Sequence, residues 1–109
     1  MEKNFVVNKL KSNNNLISIH NQADRYNNKG LDFFQNNDFE NAIICFFQAL
    51  THDKNYAHAY SNIGNILIQK GEFEEAISMY QKAINIDNQN SLYHFNLGIA
   101  YSNVNNIKA

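Results

Sequence analysis

Residues 57–90 read AHAYSNIGNILIQKGEFEEAISMYQKAINIDNQN. Laid over the preceding 34 residues, 23–56, this stretch is identical at eleven positions. The matches include Tyr26 with Tyr60, Asn28 with Asn62, Gly30 with Gly64, Phe39 with Phe73, Ala42 with Ala76 and Asp53 with Asp87. Apolar exchanges such as Phe46 with Tyr80 and Leu50 with Ile84 extend the match. A third copy opens at Ser91 and keeps Asn96 and Gly98 in register. Self-similarity at a fixed period of this length marks a repeat architecture, in which each unit buries its apolar face against the next. The chain of 109 residues divides into a polar, asparagine-rich leader (1–22), two full units (23–56 and 57–90) and a partial third unit or capping helix (91–109).

Each unit reads as two helices. Tyr60, Ile63, Gly64 and Leu67 recur at helical spacing, the run QKGEF interrupts them, and Phe73, Ala76, Ile77, Tyr80, Ala83 and Ile84 resume on a second helix. Gly71 suits a left-handed helix cap, and Asn37 replaces it in the first unit as the next most tolerant residue. Glu72, Glu74 and Glu75 fall in the expected first turn of the second helix, where negative charge meets the positive end of the helix dipole. Lys82 is expected near its last turn. The small residues Gly30, Gly64, Gly98, Ala42, Ala76, Ala49 and Ala83 are expected where helices cross closely, since only a small side chain lets two backbones approach. In the leader, a short helix is expected around Phe5–Leu10 with an interruption at Asn13–Asn15.

At these residues the chain resembles the tetratricopeptide-repeat (TPR) family. That family has an aromatic at position 4 of its unit, Leu at 7, Gly or Ala at 8, an aromatic at 11, Ala at 20, an aromatic at 24, Ala at 27 and Pro at 32. Tyr60, Ile63, Gly64, Leu67, Ala76, Tyr80 and Ala83 meet the pattern in the second unit. Tyr26, Gly30, Phe33, Ala42, Phe46 and Ala49 meet it in the first, and Leu97, Gly98 and Tyr101 in the third. Lys29 stands in place of the Leu at position 7, His94 in place of the aromatic at 4, and Lys54 and Asn88 in place of Pro at 32. The resemblance covers residues 23–109. It implies an all-α fold of helix-turn-helix repeats stacked as a short right-handed superhelix.

Composition excludes several alternatives. Proline is absent, so polyproline and collagen-like chains are out. A single cysteine, Cys45, makes no internal disulfide; it falls on a second helix and is expected as a small buried apolar residue. The net charge of −1 comes from 9 Lys+Arg and 10 Asp+Glu, and no basic face points to nucleic acid. No apolar run approaches the ~20 residues of a membrane span, and no signal-peptide core follows the N-terminal lysines. The expected location is therefore cytoplasmic, with no nucleic acid or membrane partner. His20, His52, His58 and His94 show no metal-binding spacing. No phosphate-binding glycine loop or catalytic constellation is present. A non-catalytic chain without metal or cofactor is expected.

What remains is a surface. In the TPR family the first helices of successive units line a concave groove through positions 2, 5, 6, 9, 12 and 13. The resemblance implies Asp24, Asn27, Asn28, Leu31, Phe34 and Gln35 from the first unit. It implies His58, Ser61, Asn62, Asn65, Ile68 and Gln69 from the second, and Leu92, Phe95, Asn96, Ile99, Ser102 and Asn103 from the third. Asn28, Asn62, Asn96, Asn65, Asn27, His58, Gln69 and Leu31 are the candidate partner-binding residues. An amide both donates and accepts, so the row Asn28, Asn62, Asn96 can hold an extended peptide by its backbone. This resembles the asparagine ladder of O-linked N-acetylglucosamine transferases. With 21 asparagines in the chain, compositional bias is the competing explanation.

The resemblance also allows a comparison with the carboxylate clamp of TPR co-chaperones. Counted from the first unit, only Asn62 matches the clamp; counted from the second, Asn65 and Asn96 match. The clamp's lysines and arginine are missing in both registers. The expected function is a protein-interaction module that takes a protein or peptide segment in its groove. Three other readings stand beside it: a piece of a larger enzyme, such as an O-linked sugar transferase, whose array recruits substrate; a co-chaperone-type adaptor; and a self-assembling scaffold. The last expected helix, about residues 91–103, carries Leu92, Phe95, Leu97, Ile99, Tyr101 and Val104 on several faces. That pattern predicts self-association through this helix, or a missing partner helix.

Overall fold

The computed structural model describes residues 21–108, with side chains to 105. The expectations for the leader's Phe5–Leu10 and Asn13–Asn15 lie outside the described residues. Five helices follow one another among the described residues, with no strand: α1 (21–35), α2 (Phe39–His52), α3 (Ala57–Gln69), α4 (Phe73–Ile86) and α5 (Ser91–Lys108). Asn21 and Gln22 are already helical, so the first helix begins ahead of the 23–56 boundary read from the repeat. The fifth helix runs five residues past the expected end at 103.

The turn inside each unit is built the same way twice. Asn37 has φ 62 and Gly71 has φ 79, both in the left-handed region. The Asp38 N–H bonds the Phe33 carbonyl at 2.9 Å and the Asn37 N–H bonds that of Phe34 at 3.0 Å. Thirty-four residues later Glu72 bonds Leu67 at 2.8 Å and Gly71 bonds Ile68 at 3.0 Å. This is the Schellman arrangement, which satisfies carbonyls left over at a helix end and reverses the chain. Asp38 caps α2 by accepting from the Asn41 N–H at 3.3 Å. Glu72 proves to be the N-cap residue of α4 rather than part of its first turn, which holds Glu74 and Glu75. Lys82 lies short of the last turn of α4; its ammonium sits 5.7 Å from the Tyr60 ring centroid.

The turns between units lack the proline of the family pattern, and aspartate supplies the constraint instead. The Asp53 carboxylate accepts from the Asn55 N–H at 3.0 Å, and Asp87 accepts from Gln89 at 3.4 Å. Such side-chain-to-backbone bonds two residues apart fix a turn without proline.

Packing follows the small-against-large pattern. A Cβ built at Gly30 would lie 2.5 Å from the Phe46 ring, and one at Gly64 would lie 2.6 Å from Tyr80. Both rings are buried, and each such burial stabilises by about 1.5–3 kcal/mol. Around them Ala23, Ala42, Ala49, Ala59, Ile63 and Ile66 form one core, and Ala76, Tyr80 and Ala100 another. Tyr93 packs on Ala57 and Ala83. Gly98 departs from expectation, because nothing lies within 4 Å of its built Cβ. No described helix follows α5 to place an aromatic over it. At the other end Arg25 and Lys29 are exposed, whereas their equivalents Ala59 and Ile63 are buried. Those inner positions are covered by the preceding unit, so they are apolar.

Candidate functional site

Two recesses are bordered mainly by residues of α1, α3 and α5. Three polar contacts tie these helices together. The Asn62 amide N–H donates to the Asn27 carbonyl at 2.8 Å. The Tyr56 hydroxyl bonds the Asp24 carboxylate. The Tyr93 hydroxyl lies 2.8 Å from His58 Nδ1, and the His58 ring stands edge-on to both Tyr56 and Tyr93 at 5.9 and 5.8 Å. Burial followed by the Asp24 hydrogen bond pushes the Tyr56 phenol up, and burial followed by the Asp87 charge does the same for Tyr93. Both phenols stay protonated, and that of Tyr56 donates to the Asp24 carboxylate.

The candidate residues fall in different settings. Asn65, Gln69 and Asn96 come together around one recess of about 290 Å³, which they share with Phe34, Ile68, Tyr80 and Ile99. Beside it, Leu31 and Asn62 border a smaller recess with Phe34, Phe46 and Asn65. His58 sits one helical turn before Asn62, within the tyrosine contacts just described. Asn28 is exposed and joins neither recess. Asn27 is 6% exposed. Its position 5 turns toward the neighbouring first helix, so its amide is used inside the array. Ser61, at the same position of the second unit, is likewise buried. Phe95, its third-unit equivalent, is 65% exposed, and among the described residues no further helix covers it. The row of three equivalent asparagines is thus three different environments.

Sequence reasoning assigned Tyr80 to the core and missed its second role. Its ring covers Gly64, yet its hydroxyl donates to the Asn65 side-chain carbonyl at 2.6 Å. Burial pushes this phenol up to about 12. The available signal was Tyr at position 24, where the first unit has Phe46: a hydroxyl added to a core position needs a partner.

Chemically, the face offers amides, hydroxyls and apolar walls. Among the described residues no group of three His, Cys, Asp or Glu could hold a metal ion. Cys45 is buried, and burial pushes its thiol up, with Lys29 opposing in part. It is therefore a poor nucleophile. No described helix is long and apolar enough to cross a membrane.

Comparison with known proteins follows the same lines. A family model described as tetratricopeptide repeat matches residues 23–56, and one described as TPR repeat matches 64–104. No curated protein gives a significant match. Among solved structures, that of MamA protein is similar with a TM-score of 0.73 at 27% identity, over 77% of this chain and 46% of that one. YrrB, described as a TPR protein with an unusual peptide-binding site, gives 0.69 at 28% identity, over 73% and 41%. The TPR2B domain of yeast Sti1, solved in complex with a peptide of Hsp70, gives 0.72 at 25%, over 76% and 66%. This chain therefore spans about half the length of MamA and YrrB. With the period, the paired helices, the twice-built turn and both family matches in agreement, the chain belongs to the tetratricopeptide-repeat family, of which it carries about two and a half repeats.

Proposed function

We propose that the chain is a non-catalytic interaction module that holds an extended peptide or protein segment along the face formed by α1, α3 and α5. The observation that carries this reading is the recess itself. Asn65, Gln69 and Asn96 border it beside Phe34, Ile68 and Ile99. Side-chain amides there offer donors and acceptors to a peptide backbone, and the apolar walls offer burial to its side chains. The peptide complexes of Sti1 and the peptide-binding site of YrrB support the reading by likeness of fold. The test uses the full chain against a random peptide library, with affinity read by fluorescence polarisation. The triple variant Asn28→Ala, Asn62→Ala, Asn96→Ala is expected to keep its helicity and bind at least tenfold more weakly, the scale of two lost hydrogen bonds at about 1 kcal/mol each. Unchanged affinity in the triple variant ends the amide-row reading.

A second reading is favoured by the open space at Gly98. Leu92, Phe95, Ile99 and Tyr101 stand exposed around α5. The proposal is that two chains associate through this helix. Sedimentation at ~100 μM tests it, and a clean monomer there removes it.

A further inference from the structure

Gln22, Arg25, Tyr26 and Lys29 recur on α1 at spacings of three and four, and so share one face. With His52, in the last turn of α2, they border a recess of about 400 Å³ at the first end of the array. The Tyr26 and His52 rings stack beside it, with centroids 5.2 Å apart and planes 9° from parallel. In the next unit the same five positions are Tyr56, Ala59, Tyr60, Ile63 and Ile86. Only the tyrosine is kept. A face that merely meets water is served by charges of both signs. Here the four replacements are a carboxamide, a guanidinium, an ammonium and an imidazole, and no carboxylate lines the recess. Arg25 and Lys29 take part in no ion pair among the described residues. The charge of the whole chain is divided the same way: residues 1–29 hold five Lys+Arg against two Asp+Glu, and residues 30–109 hold four against eight.

We propose that this recess is a binding subsite for a phosphate monoester. Such a group carries close to two negative charges at neutral pH and three strong acceptor oxygens. Arg25 and Lys29 match that charge. The guanidinium fork suits two oxygens at once, and the ammonium suits a third. A single carboxylate would leave one cation unmatched. A nucleic acid or an anionic membrane would set many negative charges against residues 30–109, which repel them. A compact dianion meets only the cationic end, and the recess has room for part of the group that carries it. The site shares no residue with the two groove recesses. It therefore stands apart from the groove reading and adds a second ligand chemistry to the chain.

The test titrates the full chain at fixed ionic strength with phenyl phosphate, a phosphoserine decapeptide and the same peptide unphosphorylated. Binding is read from the His52 ring signals by NMR, assigned with His52→Gln. Both phosphate probes are expected to shift those signals, and the plain peptide to leave them in place. Arg25 and Lys29 are exposed, so Arg25→Gln and Lys29→Gln should fold as wild type. Each should weaken both phosphate probes about tenfold, the scale of one charge-assisted hydrogen bond. Lys70→Gln, an exposed lysine outside the recess, should change nothing. A phosphopeptide that binds more tightly than phenyl phosphate supports the proposal with a protein as the source of the group; equal affinity supports it with a small monoester as the source. Unmoved His52 signals with both phosphate probes overturn it. Equal weakening by Lys70→Gln does the same, since the attraction would then be diffuse. So does tighter binding of a single-stranded DNA decamer, which would mark a polyanion surface.

Discussion

Gly30, Gly64 and Gly98 occupy one repeat position, and the structure predicts that replacing them with alanine has opposite effects. At Gly64 a new Cβ would stand 2.6 Å from one Tyr80 ring carbon and 2.9 Å from two others. The closest of these is about 0.9 Å, and the other two about 0.6 Å, inside ordinary carbon–carbon separation. The ring cannot swing away, because it is 2% exposed and its hydroxyl is tied to Asn65 on the same helix as Gly64. Relief must come from moving α4 off α3. Overpacking of this kind costs about 1–3 kcal/mol, while alanine returns about 1 kcal/mol of helix propensity. The net expectation for Gly64→Ala is a loss of about 1 kcal/mol, or about 4–8 °C in a domain of this size. At Gly98 nothing stands within 4 Å of the added methyl. Only the propensity term acts, so Gly98→Ala should gain about 0.5–1 kcal/mol. The assay is thermal and urea unfolding of the full chain, followed by helical circular dichroism. A Gly64→Ala protein as stable as wild type, or a Gly98→Ala protein destabilised to the same extent, would refute the reasoning.

Three further outcomes are expected. Asp38→Ala removes the cap on α2, in which Asp38 accepts from the Asn41 N–H; chemical denaturation should show a loss of about 1 kcal/mol. The Tyr80 phenol is raised from 10.0 to about 12 by burial. A raised phenol contributes stability in full below its unfolded value and loses it as pH climbs through the folded one. The melting temperature should therefore fall between about pH 10 and 12, less steeply in Tyr80→Phe. Cys45 is 5% exposed, with its thiol pushed up by burial. An aromatic disulfide reagent should label it in proportion to unfolding; rapid labelling of the native chain would contradict its placement.

Much of the fold is legible in the sequence because a stacked repeat imposes the same local demands in every unit. A left-handed turn residue is needed after the first helix, and Asn37 and Gly71 supply it. A small residue must face a ring, and Gly30 with Phe46 and Gly64 with Tyr80 supply that pair. The paired Asp53 and Asp87 were visible as an identity, but their work in the inter-unit turns was not. A side-chain-to-backbone bond depends on turn geometry that periodicity does not carry.

The candidate site was legible only in outline. Spacing placed Asn28, Asn62 and Asn96 at one register position and implied one environment for all three. The structure leaves Asn28 exposed, ties Asn62 to Asn27 and sets Asn96 at the recess. A period describes a unit with neighbours on both sides, and in an array this short the units have different neighbours. The sequence by itself determined the helices, their pairing and their family, since these rest on interactions repeated within each unit. Only the tertiary structure decided which amides are spent inside the array, which border the recess, and that Gly98 faces open space. Those outcomes depend on which helix lies alongside, and that differs at every step from α1 to α5.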